Sequence, residues 1–446
     1  MNQEKCLELR NKYPSFYYKD FKVEEDREQY RLVFHFSIPE LKDFLPSISI
    51  DKKGVVNHDI EYIKYLAFHI GLIELISYWK CTCSPSVIIE AGTIDEDQIK
   101  WFLKLYYYGL GEFFYRNGIN LTIDDFMNII NSGEELSKPA IIYKGEGNLI
   151  AVGGGKDSAI ALELLKNMDN TCFMINPKEP GIECISIAGY NEYIKITRTI
   201  DKNLLELNKG GYLNGHTPFS ALIAFVSYLC AYLSNRKFIV LSNEGSANEE
   251  TVIGTKINHQ YSKTYEFEKD FNEYATKYLG NNIKYFSLLR CLNEVQIGLL
   301  FAHYEKYHHV FKSCNVGSKT IPWHWCGKCP KCLFVYIILS PFIAKEKMIS
   351  IFGCDMYEDR ELLPILLELL GYAETKPFEC VGTYGEVRYA VSLAIEKRDN
   401  LPYLLQYYKD NYPMETDVDY RNIFNDVHDI DPEFLDIIKG ELNRYV

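Results

Sequence analysis

The clearest chemical signal in the sequence is a run of small and charged residues between a predicted strand and a predicted helix. The apolar segment 148–152 predicts the strand, and the segment 159–166 predicts the helix. The residues between them are Gly153, Gly154, Gly155, Lys156, Asp157 and Ser158. Glycines let the backbone approach a ligand closely, a helix N-terminus attracts anions, and a serine hydroxyl adds a hydrogen-bond donor. This combination predicts a phosphate-binding loop, with Lys156 countering the phosphate charge.

Two common nucleotide motifs are excluded, because Lys156 is followed by Asp rather than Ser or Thr and the glycine spacing is not GxGxxG. The loop resembles the SGGxDS loop of the PP-loop ATP pyrophosphatases, with Gly153 in place of the serine. That resemblance implies a fold of the adenine nucleotide alpha hydrolase type and cleavage of ATP between its α and β phosphates. The alternative is a glycine-rich turn that binds no ligand.

Four cysteines form a second candidate site. Cys326, Cys329 and Cys332 follow a C-x-x-C-x-x-C pattern, and Cys314 lies twelve residues upstream of the first. Four thiolates can hold one structural zinc ion in a tetrahedron, whereas the spacing does not match the bacterial ferredoxin pattern of an iron–sulfur cluster. A similar arrangement accompanies the PP-loop in nitrile-forming deazaguanine enzymes, which supports zinc by resemblance. Three reduced cysteines at a helix start are the alternative, and the other cysteines are interpreted as core residues.

Two polar segments, 241–250 and 258–263, follow the predicted strand 237–242. Because ligands of open α/β sheets bind beyond the carboxyl ends of strands, these segments favour a substrate site over a plain surface loop. The predicted substrate-binding residues are Asn243, Glu244, Asn258, Gln260 and Ser262.

The same two segments supply candidates for proton transfer and for Mg²⁺. His259 and Lys263 are the predicted acid–base residues, beside Asp157 as a catalytic residue. A structural role for His259 and a phosphate contact for Lys263 remain open. Asp157 and Glu244 are the candidate ligands of a Mg²⁺ ion that accompanies ATP.

The elements that hold these segments follow a strand–turn–helix order. Segments 148–152, 171–175 and 237–242 predict strands, and 159–166 and 218–234 predict helices. The uncharged run 218–234 is nearly long enough to span a membrane, but its serines and the strand that follows favour a buried helix. We therefore predict an α/β fold with a mostly parallel sheet and flanking helices.

The first 145 residues mix strand and helix patterns and predict an α+β domain. Apolar residues alternate at 32, 34, 36 and 38, and they recur at helical spacing at 63, 66, 70 and 73. Thr93 and Glu96 match a capping box that opens a helix ending near Gly109. The polar stretch 131–139 predicts a linker. The predicted domains are therefore 1–145 and 146–446, the second carrying the cysteine cluster and a helical C-terminal part.

Composition narrows the class of protein. Across 446 residues, 48 Lys and Arg against 61 Asp and Glu give a net charge of −13, which argues against a nucleic-acid partner. The N-terminus lacks a secretion signal, so the 13 cysteines predict a reducing cytoplasm rather than disulfides. We expect no membrane partner, and the sequence leaves the oligomeric state open.

Several blocks in one order are similar to the UDP-N-acetylmuramoyl-L-alanyl-L-glutamate epimerase family, MurL. They read AFHIGL at 67–72, SYWK at 77–80, SNE at 242–244, NHQYSK at 258–263, WCGKCPKC at 325–332 and KPFECVG at 376–382. The resemblance implies inversion of the terminal L-Glu of a UDP-linked muramoyl dipeptide to D-Glu for peptidoglycan. It implies ATP and Mg²⁺, an acyl-adenylate, and release of AMP and pyrophosphate.

Two rival functions remain open at this point. The first is another PP-loop adenylating enzyme, either an amidotransferase or a tRNA-modifying enzyme, although the acidic charge weakens the RNA version. The second is a nucleotide-sensing module without catalysis, which the missing serine at Gly153 motivates.

Overall fold

The structure is a computed structural model that describes residues 2–252, 254–255, 257–259, 261–280, 282–320, 322–415 and 417–445. The strands are β1 (Ser15–Glu25), β2 (Gln29–Ile38), β3 (Lys42–Phe44), β4 (Ser47–Asp51), β5 (Ser86–Ile89), β6 (Asn128–Asn131), β7 (Asn148–Ala151), β8 (Asn170–Ile175), β9 (Tyr193–Thr199), β10 (Phe238–Leu241) and β11 (Lys284–Ser287).

The α-helices are α1 (Asn2–Lys12), α2 (Ile60–Glu74), α3 (Ile76–Trp79), α4 (Glu96–Gly109), α5 (Gly111–Asn117), α6 (Ile123–Phe126), α7 (Lys156–Leu164), α8 (Glu179–Ile187), α9 (Lys202–Lys209), α10 (Phe219–Leu233), α11 (Tyr265–Tyr274), α12 (Glu294–His303), α13 (Pro330–Leu339), α14 (Lys345–Phe352), α15 (Leu363–Leu370), α16 (Tyr384–Glu396), α17 (Tyr403–Asn411) and α18 (Pro432–Leu442). The described part of the chain contains no helix long and apolar enough to cross a membrane.

One sheet of eleven strands runs through the described part of the chain. Its order is β11-β10-β7-β8-β9-β4-β2-β1-β5-β6, with β3 beside β2. Strands β11, β10, β7, β8 and β9 are mutually parallel, as are β1, β5 and β6. The antiparallel pair β4–β9 joins the N-terminal strands to the later ones. The predicted α/β class with a mostly parallel sheet is confirmed, while the domain boundary near residue 145 stays a prediction.

Helices cover both faces of the parallel part of the sheet. Neighbouring residues of β7, Leu149 and Ile150, belong to separate hydrophobic cores, as do Ile239 and Val240 of β10. Helix α10 packs against β7 and β10 and against α2, whereas α7 packs against β7 and α12. Burial on both sides explains why the strands of this part read as continuous apolar runs. The predicted buried helix at 218–234 is confirmed as α10.

One local prediction is wrong. The helix through Trp101 does end at Gly109, but Thr93 and Glu96 do not form its capping box. Instead the Asp95 side chain accepts the backbone N–H of Gln98 at 2.8 Å, and the Gln98 side chain accepts the backbone N–H of Asp95 at 3.0 Å. Two overlapping box patterns start at residues 93 and 95, and the extended backbone of Asp95 makes the second one form.

Candidate active site

A cavity of about 410 Å³ opens at the carboxyl ends of β7, β8 and β10. Its polar wall contains seven residues that the sequence predicts for the site, namely Gly153, Gly155, Asp157, Ser158, Asn243, Glu244 and Lys263. Its apolar wall is formed by Phe173, Met174, Ile175, Phe219, Ile223, Leu241 and Trp323, among others. The position beyond the strand ends is where open parallel sheets bind ligands.

The glycine loop owes its shape to Gly154. This residue has φ +88°, and a Cβ atom there would lie 2.6 Å from the backbone nitrogen of Gly181. The loop is tied by the N–H of Gly154, which donates to Ser158 Oγ at 3.1 Å, and by the N–H of Lys312, which donates to Gly154 O at 2.9 Å. Gly155 then caps α7, so the N-terminus of that helix adjoins the cavity.

We expect Gly154→Ala to lower the free energy of unfolding by about 1–3 kcal/mol, because it forces an L side chain into a left-handed conformation against backbone. Gly153→Ala is the matched control, since no heavy atom lies within 4 Å of its Cβ position. Its free energy of unfolding should change by less than about 0.5 kcal/mol. Urea denaturation of both variants checks this, and equal losses would contradict the account of the loop.

Lys156 lies in the interior rather than in the cavity. Its side chain is only 2% exposed, and Nζ donates to Glu294 Oε2 at 2.6 Å and to Asp157. Burial raises the pKa of Glu294, with Asp157 and Glu244 adding to the shift and Lys156 opposing it. The ion pairs with Glu294 and Asp157 already compensate the charge of Lys156. The lysines that line the cavity within the described residues are Lys263, Lys312 and Lys331.

A buried arginine holds the two polar segments in place. Arg290 is fully buried, and it donates to the backbone oxygens of Glu244 at 3.0 Å and Lys263 at 2.6 Å. It also pairs with Glu268 at 3.0 Å. Arg290 therefore fixes the backbone at two cavity residues, a role that no sequence motif signals.

Two other predicted residues of these segments, Asn258 and Ser262, do not line the cavity. Asn258 is buried and donates to the backbone oxygen of Ala247 at 2.9 Å, and Ser262 is also buried. Asn243 reaches Ser287 Oγ at 3.0 Å from the wall itself. Gln260 lies outside the described residues. Substrate roles for these residues stay predictions.

His259 contacts three polar side chains that the sequence does not predict for the site, namely Glu112, His216 and Cys380. Its Nδ1 lies 2.5 Å from Glu112 Oε2, and His216 Nδ1 lies 3.5 Å from the same oxygen. The ring also hydrogen-bonds the Cys380 thiol, which lines the cavity. The Glu112 carboxylate thus hydrogen-bonds His259 and lies beside His216. Glu112 lies on α5, so the first 145 residues contribute to this site.

Cys380, His259 and Lys263 shift one another's pKa values. Burial would lower the pKa of His259, but hydrogen bonds to Cys380 and Glu112 raise it to about 9. Burial would likewise lower the pKa of Lys263, but the charges of Cys380 and Glu244 raise it. Burial would raise the pKa of Cys380, but Lys263, His259 and Lys331 lower it to about 6. Lys263 and His259 therefore favour the thiolate form of Cys380, and the thiolate in turn favours their protonated forms.

The four predicted cysteines come together at the start of α13. Their sulfur atoms lie within 4.8 Å of one another, with separations of 3.8 Å for Cys314–Cys329, 3.7 Å for Cys326–Cys332 and 3.4 Å for Cys329–Cys332. Sulfur atoms about 2.3 Å from one zinc ion in a tetrahedron would be roughly 3.8 Å apart. The donor set therefore fits a structural zinc ion.

Zinc in this position would stabilise one wall of the cavity. Lys331 lies between two of the cysteines, lines the cavity and donates to the backbone oxygen of Cys380. We expect Cys329→Ser to lower the zinc content from about one ion per chain towards zero and to lower activity. Cys354→Ser, which changes an exposed cysteine, is the control. Metal analysis of protein purified without chelator checks this, and full zinc in Cys329→Ser would contradict it.

Comparisons with known proteins identify the family. The model of the MurL N-terminal domain matches residues 8–288, and that of the MurL C-terminal domain matches residues 310–420. Three similar proteins are each named UDP-N-acetyl-alpha-D-muramoyl-L-alanyl-L-glutamate epimerase. That of Xanthomonas oryzae pv. oryzae is 34% identical over 74% of both chains.

The protein of Salinispora tropica is 36% identical over 73% of this chain and 72% of its own. That of a Micromonospora species is 35% identical over 72% of this chain and 73% of its own. No solved structure matches. The chain therefore belongs to the MurL family, and like these relatives it is an isomerase.

Proposed function

We propose that this enzyme inverts the terminal L-Glu of UDP-N-acetylmuramoyl-L-alanyl-L-glutamate to D-Glu in the cytoplasm, as a step of peptidoglycan precursor synthesis. The names of the three relatives support the substrate. The observation that carries the mechanism is a single cavity that joins the glycine loop to acid–base groups. That combination suits activation of a carboxylate followed by proton transfer at the neighbouring carbon.

The chemistry explains why activation is needed. A glutamate α-hydrogen is weakly acidic, because its removal would place a second negative charge beside a carboxylate. Transfer of AMP to that carboxylate removes the charge and makes the carbonyl a good electron acceptor. In the proposed reaction a carboxylate oxygen attacks the α phosphorus of ATP, and the bond to pyrophosphate breaks. Water later releases AMP and the inverted dipeptide.

The residues of the cavity fit the groups that this reaction brings together. The amides of the glycine loop, the N-terminus of α7 and Ser158 would bind phosphate oxygens, and Lys312 supplies a cation nearby. Asp157 and Glu244 would hold Mg²⁺, which offsets phosphate charge. The apolar wall around Phe173 and Phe219 suits a purine ring. His259 and Lys263, the predicted acid–base residues, would serve the proton-transfer step.

An isotope experiment tests the adenylation step. If the α-carboxylate oxygens of the substrate carry ¹⁸O, an acyl-adenylate must leave one labelled oxygen in AMP. We expect mass spectrometry to find AMP with one ¹⁸O for each D-Glu formed. Unlabelled AMP would refute the adenylate. Labelled AMP without D-Glu would favour another adenylating enzyme, and bound ATP without any AMP would favour a sensing module.

A further inference from the structure

The proposed reaction needs a base, and the predicted acid–base residues are poorly suited to that task. His259 and Lys263 are both protonated at neutral pH, so neither can accept a proton before losing one. The carboxylates in the cavity wall, Asp157 and Glu244, are the candidate Mg²⁺ ligands. The base must therefore be sought among the remaining cavity residues.

Cys380 is the one thiol among the described residues that line the cavity. Lys263 Nζ lies 2.9 Å from its Sγ, and Lys331 Nζ donates to its backbone oxygen. His259 also hydrogen-bonds this sulfur, and its Nδ1 lies 2.5 Å from Glu112 Oε2. Two cations thus surround Sγ, which is the environment that keeps a cysteine ionised and reactive.

The position of Cys380 also fits the reacting carbon. Cys380 lines the same cavity of about 410 Å³ as Gly153, Asp157 and Ser158. A carboxylate activated at the glycine loop therefore shares one cavity with the Cys380 side chain. The cations beside Sγ would in addition stabilise negative charge that develops on the activated carbonyl.

We propose that Sγ of Cys380 is the base that removes the α-hydrogen of the adenylated glutamate. This inference rests on the proposed function. The α C–H bond breaks, its proton moves to Sγ, and its electron pair is delocalised into the activated carbonyl. A proton derived from water then adds to the opposite face of the same carbon, and Sγ releases its proton to water. Glu112 is a positioning residue, which orients His259 towards the thiolate.

The test separates proton transfer from adenylation. Wild type, Cys380→Ser and the exposed control Cys354→Ser are compared in D₂O with the UDP-linked dipeptide, ATP and Mg²⁺. Substrate-dependent exchange of labelled pyrophosphate into ATP reports adenylation, while α-deuterium and D-Glu report proton transfer. In Cys380→Ser we expect deuterium incorporation and D-Glu to fall by at least about 100-fold. Pyrophosphate exchange should stay within about tenfold of wild type, and Cys354→Ser should match wild type in both.

Each other outcome is decisive. Normal D-Glu formation by Cys380→Ser would overturn the assignment. Equal loss of pyrophosphate exchange and of deuterium in a folded variant would assign Cys380 to binding or adenylation instead. Wild type without pyrophosphate exchange and without D-Glu would refute the proposed function itself, and the inference with it.

Alkylation of the wild-type protein provides a test that needs no cavity variant to fold. The charged groups that act on Sγ are Lys263, His259 and, from the backbone side, Lys331; Glu112 acts on His259, and Glu244 and Asp157 act on Lys263. The rate of iodoacetamide labelling of the Cys380 peptide should therefore be half-maximal near pH 6. Half-maximal labelling near pH 8.5, the ordinary value for cysteine, would contradict an ionised base. Glu112→Gln should move the midpoint to higher pH, which a merely structural role would not do.

Discussion

Asp157→Asn is expected to abolish AMP formation and to lower D-Glu formation by at least about 1,000-fold. The Asp157 carboxylate lies in the cavity wall, in the first turn of α7, beside the amides of the glycine loop. In the proposed reaction this carboxylate holds the Mg²⁺ ion that offsets phosphate charge, and loss of such stabilisation of the transition state costs about 10²–10³ in rate or more. Steady-state release of AMP and of D-Glu measures both effects.

The fold should survive this change. Lys156 loses one partner in Asp157→Asn but keeps Glu294 at 2.6 Å. Asp436→Asn, which changes an exposed residue of α18, serves as the matched control and should match wild type. Full turnover by Asp157→Asn would show that the glycine loop is not the ATP site. A variant that melts far below wild type would instead show that Asp157 is needed for the fold.

Arg290→Met is expected to produce the largest loss of stability, about 3–5 kcal/mol in the free energy of unfolding at neutral pH. The change leaves Glu268 buried without its cation and removes hydrogen bonds from two backbone oxygens. Because those oxygens belong to Glu244 and Lys263, D-Glu formation should also fall in the protein that remains folded. Urea denaturation and turnover below the transition measure the two effects.

The pH dependence distinguishes a lost ion pair from lost packing. Burial raises the pKa of Glu268 above its ordinary value of about 4.5, and Arg290 opposes that shift. Without the arginine the pKa of folded Glu268 rises further, so the variant loses stability as the pH increases from about 4.5. The difference in the free energy of unfolding between Arg290→Met and wild type should therefore become smaller towards pH 4.5. A difference that does not change with pH would contradict the ion-pair explanation.

An exposed ion pair provides the control for Arg290. The Arg444 side chain is 69% exposed and pairs with Glu441 at 2.6 Å. Arg444→Met should change the free energy of unfolding by less than about 1 kcal/mol, because solvent screens such pairs. A loss equal to that of Arg290→Met would show that burial is not what makes Arg290 important.

The elements could be predicted where one physical pattern acts alone. Helix α10 and strand β10 follow from apolar runs between polar turns, and the glycine loop follows from its strand–helix position. The pattern failed at Asp95, where two overlapping capping boxes compete and only backbone geometry decides between them. The continuous sheet could not be predicted either, because the β4–β9 pairing joins segments about 150 residues apart.

The candidate site could likewise be predicted only in part. The spacing of Cys326, Cys329 and Cys332 predicts a metal site, and the structure places the predicted fourth ligand, Cys314, beside them. Glu112 and Arg290 lie in no sequence motif, and Cys380 lies in the 376–382 block of the family resemblance, where its spacing predicts only a core residue. Their importance comes from contacts between distant segments, such as His259 with Glu112, which lie 147 residues apart. Such contacts exist only in the folded chain.

The most direct test of the whole account is to incubate the purified protein with UDP-N-acetylmuramoyl-L-alanyl-L-glutamate, ATP and Mg²⁺. Chiral analysis of the glutamate after acid hydrolysis and chromatography of the nucleotides then measure the products. We predict D-Glu together with AMP, and no D-Glu when ATP is omitted. D-Glu formed without ATP, or no D-Glu with every component present, would contradict it.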